Sequence, residues 1–380
     1  MNPIIIIGTG LAGYQLAREF RKHDQTTPLM LVTASDGRFY PKPQLSTAQT
    51  SKKTSESLAT ATAESMAQQL NATIKTRAHV TAIDPKIQKI QIDNQLISYE
   101  KLILACGAQV IKPHLTGDAA NEVLSINHLE DYAIFEKSIM DKKQITLLGA
   151  GLIGCEFAND LSNQGFEVHV IDPARSPISL LIPEEIGKLL QQALEKNGVH
   201  FHFGCIAEQI NKSDHHYELT LSNGEKLRTQ LVISAIGLRP SIALAKETNI
   251  ETARGIVVNR YLETNFQSIY ALGDCAEVEG HVLPYIAPIL NAARALAKTL
   301  AGERTAVDYP AMPVVVKTPA HPIVICPPPR EMKGTWQIEK IDHHVKALFY
   351  NEQQALYGFV LSNDFVKERS TLASQLPKLF

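Results

Sequence analysis

Residues 145–172, ITLLGAGLIGCEFANDLSNQGFEVHVID, decide the fold of this chain. A hydrophobic strand pattern is followed by Gly149, Gly151 and Gly154 in GxGxxG spacing, then by a helix pattern and a second strand. Glycines at this spacing permit the tight turn, the approach of backbone to a pyrophosphate, and close packing of helix on strand. Asp172 ends the second strand, where an acid can accept ribose hydroxyls. The stretch therefore predicts a dinucleotide site with the diphosphate at the helix N-terminus.

The same pattern opens the chain. Four isoleucines, residues 4–7, lead into Gly8, Gly10 and Gly13, and a helix pattern follows. Two turns of this kind predict two Rossmann-like domains and hence two bound dinucleotides.

The adenosine end of the first site departs from the usual pattern. The strand that follows the first helix ends at Thr33, where a dinucleotide fold usually places an acid. Ser35, Asp36 or backbone groups must then hold the ribose hydroxyls.

Composition limits the possible functions. The 380 residues suit two or three domains, and 37 basic against 39 acidic side chains give a net charge of −2, which argues against a nucleic-acid binder. No apolar run is long enough for a membrane span, and the strand beginning at Pro3 leaves no room for a signal peptide. The five cysteines lie far apart without zinc or CxxC spacing, which indicates reduced thiols in a cytoplasmic protein.

Asp172 favours NADH over NADPH at the second site. A carboxylate about 4 Å from a 2′-phosphate costs up to roughly 4 kcal/mol at an effective dielectric constant near 20, before relaxation and salt reduce it. Arg175, three residues later, could instead meet a phosphate, so NADPH stays open as an alternative.

Two charged residues are candidates for catalysis. Lys42 lies between two prolines that restrict its backbone, so it is either aimed into a site or an ordinary loop lysine. Glu156 follows Gly154 by two residues and is expected in the first turn of the helix. It is either close to the nicotinamide or simply an acid favoured by the helix dipole.

The third candidate region comes late in the chain. IYALGDCAE, residues 269–277, predicts a strand that presents Gly273 and Asp274 to a ribityl hydroxyl beside a pyrophosphate, or else an Asp that caps the next helix. The apolar helix predicted over 284–300 would direct its positive N-terminus, near Ile286, at a reduced flavin ring.

The small-residue turns suggest how the chain is divided. ILACGA at 103–108 and AIGLRP at 235–240 each end a strand with a glycine turn that lets the chain cross between domains. We predict an α/β fold with two Rossmann-like, three-layer ββα domains and a small α+β C-terminal domain. The first domain comprises 1–113 with 241–311, the second 114–240 and the third 312–380. The segment 47–62, polar and rich in Ser and Lys, is expected to be a mobile loop.

Five motifs in a fixed order carry a family resemblance. They are GTGLAG at 8–13, ILACGA, GAGLIGCE at 149–156, AIGLRP, and ALGDCAE at 271–277. Their order resembles the flavoproteins with two dinucleotide-binding domains, in which the first domain holds FAD and the second holds NAD(P)H. Within that superfamily, YPKPQLS at 40–46 and VVVKTPAHPIVICPPP at 314–329 are similar to the rubredoxin–NAD(+) reductases. The resemblance covers essentially the whole chain; Thr33 and Cys106 replace the commoner acid and threonine.

The resemblance implies two sets of cofactor-binding residues and no metal ligand. For FAD these are Gly8, Gly10, Leu11, Ala12, Gly13, Lys42, Val80, Ala105, Gly107, Gly273, Asp274 and Ile286. For NAD they are Gly149, Gly151, Ile153, Gly154, Glu156, Asp172 and Gly237. Lys42 and Glu156 are the expected catalytic residues.

The resemblance also implies an activity. Disulfide-reductase relatives use cysteines close to the flavin, but this chain has none before Cys106 and has Lys42 near the position where peroxidase-type relatives carry a redox cysteine. Electrons should therefore pass from NADH through FAD directly to rubredoxin, in support of alkane hydroxylation or a related chain. The alternatives are a reductase of ferredoxin or flavorubredoxin, and an NADH-sensing flavoprotein that does not turn over.

A local basic face is expected at the partner surface, because rubredoxins are small and acidic while this chain is nearly neutral. Arg38, Lys42 and Lys317 are the predicted docking residues. Lys52 and Lys53 either join them or are ordinary solvated lysines.

Overall fold

A parallel sheet around the isoleucine strand forms the centre of the first Rossmann-like unit in the computed structural model, which describes residues 1–380. Because this strand pairs on both edges and is buried on both faces, it carries only apolar side chains. The five strands, in spatial order, are Ile269–Ala271, Lys101–Leu104, Ile4–Ile7, Leu29–Val32 and Thr73–Lys75.

A second parallel sheet repeats this arrangement in the middle of the chain. Its central strand again precedes the glycine turn, and its neighbours pair with it in parallel. The five strands, in spatial order, are Val199–Phe203, Glu167–Asp172, Gln144–Leu148, Leu231–Ser234 and Leu124–Ser125. The expected pair of Rossmann-like units is confirmed.

Each parallel sheet is accompanied by a three-stranded antiparallel sheet, which gives the expected three-layer ββα arrangement. The first consists of Val80–Asp84, Lys89–Ile92 and Gln95–Ser98, and the second of Ala207–Ser213, His216–Leu221 and Lys226–Thr229. Buried side chains of the second, such as Ile210 and Leu219, pack against Leu148 and Ile171 of the parallel sheet. Two short parallel strands, Ile256–Val258 and Ala276–Val278, complete the first unit.

Nine α-helices cover the sheets. They are α1 Leu11–Arg21, α2 Ser55–Leu58, α3 Ala63–Leu70, α4 Leu129–Ser138, α5 Leu152–Asn163, α6 Glu184–Glu195, α7 Ala243–Glu247, α8 Ile286–Leu300 and α9 Arg369–Gln375. Short 3₁₀ helices span Lys42–Thr47, Ala120–Glu122 and Asn363–Glu368. None of the helices combines the length and the apolar character that crossing a membrane requires.

The two chain crossings lie side by side. Ala108–Val110, which follows the ILACGA turn, pairs antiparallel with Leu238–Pro240, which follows the AIGLRP turn. The repeated motif therefore marks a two-stranded connection, and we propose the three-domain division given above on this basis.

The C-terminal region is a five-stranded antiparallel sheet. Its strands, in spatial order, are Val314–Val316, Ile323–Cys326, Leu356–Ser362, His344–Asn351 and Gly334–Ile341. One face contributes Val316 and Ile325 to the core of the second unit, and the other face packs against Leu372 of α9. Trp336 is half-buried and meets the Phe349 ring edge-on, so it is a packing residue of this region.

The segment expected to be a mobile loop is instead fixed to the second unit. Leu45, Ala48 and Leu58 are buried in the core that surrounds the second parallel sheet. The backbone N–H and hydroxyl of Ser55 both donate to Glu136 of α4, at 3.0 and 2.9 Å. The prediction was wrong because polar composition does not reveal these long-range partners.

Candidate functional site

The second glycine turn has the shape that a diphosphate needs. A Cβ at Gly154 would lie 2.0 Å from the carbonyl oxygen of Gly149, so this position accepts only glycine without movement of backbone. Gly149 itself has φ +104°, a conformation that glycine adopts freely. Above Gly151, by contrast, no protein atom lies within 4 Å of the Cβ position, so a ligand can approach its backbone there.

The first glycine turn repeats this geometry. A Cβ at Gly13 would lie 1.9 Å from the Gly8 carbonyl oxygen, and one at Gly8 would lie 2.2 Å from the Ala105 carbonyl oxygen. The space above Gly10 is again free of protein atoms within 4 Å. Both turns therefore fit a dinucleotide, which is the fit expected for FAD and NAD.

Three helix N-termini supply dipole charge to these clefts. No side chain caps α1, α5 or α8, so their first backbone N–H groups are available to an anionic ligand. Ile286 begins α8 and is partly exposed. A Cβ at Gly273 would lie 2.7 Å from Ala12 Cβ, so the Gly273–Asp274 turn lies directly against α1.

The residues that follow or end the second strand of each unit, Thr33 and Asp172, differ as the sequence indicated. Asp172 accepts hydrogen bonds from the backbone N–H groups of Ala150, at 2.6 Å, and Ala174, at 2.8 Å. It therefore orders the glycine turn at the end of its strand, and its role towards a ribose stays a prediction. Thr33 instead lies 3.0 Å from the hydroxyl of Ser35, so the first site presents hydroxyl groups in place of a carboxylate.

We expect Asp172→Ala to weaken NADH binding by about 10- to 100-fold, since a hydrogen bond to a charged group contributes about 1.5–3 kcal/mol. The affinity for NADPH should fall less, because the variant also removes the repulsion between the Asp172 carboxylate and the 2′-phosphate. Titration of the FAD-loaded protein with each nucleotide measures both. Arg175→Ala is the control. A loss of NADPH binding in that variant alone would mean that Arg175 binds the 2′-phosphate. An unchanged preference in Asp172→Ala would contradict the assignment of Asp172.

Lys42 and Asp274 lie close enough for the charge of each to affect the pKa of the other. Burial lowers the pKa of Lys42 and outweighs the carboxylates of Asp274 and Asp131, which act in the opposite direction. Burial also raises the pKa of Asp274, against the influence of Lys42. Each charge therefore favours the other, and Lys42 is partly buried and not a fully solvated loop lysine.

A group of polar residues at the start of α4 borders Lys42 and was not found from the sequence. Asp131 accepts the backbone N–H groups of Asn127 and His128, each at 2.9 Å. The Asn127 amide donates to the Ala108 carbonyl at the domain crossing, at 2.9 Å. Burial, with the nearby charge of Lys42, lowers the pKa of His128, so this imidazole is neutral at pH 7.

Glu156 is a buried residue of α5 that contacts both the segment around Ser46 and the C-terminal region. It lies in the second turn of α5, not the first, and is 3 % exposed. Its carboxylate accepts the Ser46 hydroxyl at 2.6 Å and the Lys317 backbone N–H at 3.0 Å, and it pairs with the Lys317 ammonium. The interpretation as a helix-dipole acid is therefore wrong.

The free positive charge expected of Arg38 and Lys317 is absent, because both are paired. Arg38 contacts Asp36 at 2.7 Å and Glu56 at 2.9 Å. Lys317 is paired with Glu156, and its ammonium lies 3.1 Å from the Ser46 hydroxyl. Lys52 keeps an exposed side chain, whereas Lys53 donates to Gln44 at 2.9 Å.

No cysteine is poised to relay electrons. All five are free thiols. Burial raises the pKa of Cys106, and it raises the pKa of Cys275 to about 11, so both remain protonated at neutral pH.

The remaining predicted contacts lie on the expected elements. Leu11 begins α1, Ile153 is a partly exposed residue of the first turn of α5, and Val80 begins the first antiparallel sheet. Gly107 and Gly237 have φ values of +67° and +122° at the two crossings. Asn159 and Asp160 were missed, although two polar residues one turn after Glu156 in a mostly apolar helix indicate a buried polar face.

Comparison with known sequences identifies the family. A family profile described as pyridine nucleotide-disulphide oxidoreductase matches residues 2–297, and one described as rubredoxin binding C-terminal domain matches residues 306–376. A rubredoxin-NAD(+) reductase from Alcanivorax borkumensis is 47 % identical over 100 % of both chains. A nitric oxide reductase FlRd-NAD(+) reductase from Aliivibrio fischeri is 36 % identical over 98 % of both.

Comparison with solved structures agrees with the fold. A ferredoxin reductase from Rhodopseudomonas palustris superposes with a TM-score of 0.89 at 25 % identity, covering 99 % of this chain and 95 % of that one. These matches extend over the whole chain and include both glycine turns. The chain therefore belongs to the pyridine nucleotide-disulphide oxidoreductase family, on the branch that includes the rubredoxin-NAD(+) reductases.

Proposed function

We propose that this chain is an NADH-dependent FAD flavoprotein that reduces rubredoxin, one electron at a time. The observation that carries the proposal is the combination of two dinucleotide clefts with a C-terminal region that matches a rubredoxin-binding domain. The full-length relative named rubredoxin-NAD(+) reductase supports the same partner. When bound, FAD would accept a hydride from NADH and return the two electrons singly.

The residues of this chain would hold and orient the reactants. We assign FAD to the first glycine turn with Asp274 and Lys42, and NADH to the second glycine turn with Asp172. Lys42 and the N-terminus of α8 would supply positive charge that stabilises the negative charge of a reduced ring bound in this cleft. The Glu156–Lys317 junction fixes α5 against the C-terminal region, so the NADH cleft and the rubredoxin side keep one geometry.

The decisive test is anaerobic reduction of the purified yellow protein with NADH, followed by stopped-flow mixing with rubredoxin. Rapid reoxidation by rubredoxin supports the proposal. Slow reoxidation by every one-electron acceptor would instead favour the NADH-sensing alternative.

We expect ionic strength to separate the two half-reactions. Raising salt from about 50 to 500 mM shortens the Debye length from roughly 14 to 4 Å, which screens any electrostatic steering of an acidic partner towards this protein. The second-order rate with rubredoxin should fall about tenfold, while flavin reduction at saturating NADH stays within about twofold. Equal slowing of both steps would argue against an electrostatic docking face.

Flavorubredoxin is the second candidate acceptor, because the Aliivibrio fischeri relative is named for that partner. Rates with purified rubredoxin, flavorubredoxin and ferredoxin distinguish the three. We further propose, in keeping with the family resemblance, that the protein acts in the cytoplasm and supplies alkane hydroxylation or a related electron-transfer chain. Loss of growth on alkanes after disruption of the gene would test that role.

A further inference from the structure

Helix α5 carries three buried polar side chains on one face. Glu156, Asn159 and Asp160 lie at positions i, i+3 and i+4, and none is more than 3 % exposed. Together they accept four backbone N–H groups from outside the helix, at 2.8–3.1 Å: Lys317, Ala320, Gln49 and Thr50. We call these three residues the α5 ladder. It joins the helix of the NADH cleft to the first unit and to the C-terminal region.

Asp160 is the member that faces the first unit. Its two carboxylate oxygens accept the Gln49 N–H at 3.0 Å and the Thr50 N–H at 2.8 Å, and the Thr50 hydroxyl donates to its backbone carbonyl at 3.3 Å. Burial raises the pKa of this carboxyl, so ionising it here is costly. Only a carboxylate offers one oxygen to each amide, because asparagine of the same size has a single acceptor.

The segment held by Asp160 is short and internally braced, and it begins at Lys42. The 3₁₀ helix spans Lys42–Thr47. The Ser51 hydroxyl donates to the Thr47 carbonyl at 2.7 Å, and the Lys53 ammonium donates to Gln44 at 2.9 Å. A displacement at Gln49 and Thr50 therefore shifts the backbone that aims Lys42.

We propose that Asp160 is a positioning residue for the reaction, acting through Lys42. It acts at a distance from both nucleotide clefts, by fixing the segment that would place the Lys42 ammonium beside FAD. The inference rests on the proposed function, in which Lys42 stabilises the reduced ring.

The test is the FAD midpoint potential of the Asp160→Asn holoprotein. Displacement of Lys42 should shift the ratio of oxidised to reduced flavin at a fixed potential about tenfold toward the oxidised form, which is about 30 mV for a two-electron couple. Glu136→Gln is the matched control. It removes one carboxylate that holds Ser55, near the far end of the same segment, and it should leave the potential unchanged.

Two further variants show whether Asp160 acts through Lys42. Lys42→Met should shift the potential in the same direction, and adding Asp160→Asn to it should shift the potential no further. If Lys42→Met has no effect, the placement of Lys42 in the proposed function is wrong. If Lys42→Met shifts the potential but Asp160→Asn changes only the stability, Asp160 is merely structural and the inference is overturned. An equal shift in Glu136→Gln would also overturn it.

Discussion

Gly13→Ala is expected to yield a protein without bound FAD. The new methyl carbon would lie 1.9 Å from the Gly8 carbonyl oxygen and 3.4 Å from Ile6 Cγ2, so the turn must move away from the diphosphate. Overpacking of this kind also costs about 1–3 kcal/mol of stability or more. The ratio of visible flavin absorbance to protein absorbance should fall more than tenfold, and NADH oxidation should cease with it.

Gly10→Ala is the matched control for Gly13→Ala. No protein atom lies within 4 Å of the added Cβ, and the backbone there has φ −69°, which alanine adopts without strain. The unfolding midpoint of the FAD-free protein should therefore stay close to the unsubstituted value, while FAD binds more weakly because the methyl occupies its approach. Full flavin content and unchanged stability in Gly13→Ala would contradict the placement of FAD in this cleft.

Glu156→Ala is expected to have the second-largest effect. Removal of the carboxylate leaves the Ser46 hydroxyl, the Lys317 backbone N–H and the Lys317 ammonium without their partner. Breaking a buried ion pair typically costs 3–5 kcal/mol, and we expect about 3 kcal/mol because the Lys317 side chain is 32 % exposed and can be partly solvated. Loss of this junction lets the NADH cleft shift relative to the flavin, and a misplacement of about 1 Å can slow the reaction roughly 100-fold.

Urea unfolding and stopped-flow reduction by NADH measure these two consequences separately. Glu184→Gln serves as the control, because Glu184 makes an exposed helical pair with Lys188 in which both side chains are about half exposed. Such a pair contributes about 0.3–0.5 kcal/mol, so both measurements should barely change. Wild-type stability and reduction rate in Glu156→Ala would show that the junction has no role in aligning the clefts.

The sequence predicted the elements whose physics is local. The third glycine of a GxGxxG turn is required for a local reason, because a Cβ there would meet the carbonyl oxygen of the first glycine five residues earlier, as at Gly13 and Gly154. The first glycine instead meets a distant strand end, Ala105 for Gly8 and Ala235 for Gly149, which only the fold reveals. The position of Asp172 could also be predicted from the sequence, since the end of the second strand follows from the βαβ pattern alone. The repeated strand-then-glycine motif predicted two crossings between domains, but their antiparallel pairing was found only in the structure.

The ion pairs of the predicted docking residues show what sequence reasoning could not supply. Asp36, two residues before Arg38, is a local partner, but nothing near Arg38 or Lys317 along the chain reveals their pairing with Glu56 and Glu156. The segment 47–62 was misread for the same reason: its polar side chains and backbone amides meet partners on α4 and α5 about a hundred residues away.

By itself, the sequence determined that this protein has two dinucleotide clefts and an acid at a strand end of the second one, because those features follow from the local βαβ pattern. Only the tertiary structure decided what the charged residues do. Glu156 and Lys317 are 161 positions apart, and Asp160 reaches Thr50 across 110. Such pairs form when separately folded units pack together and bury their polar groups, which then need partners wherever the packing brings them.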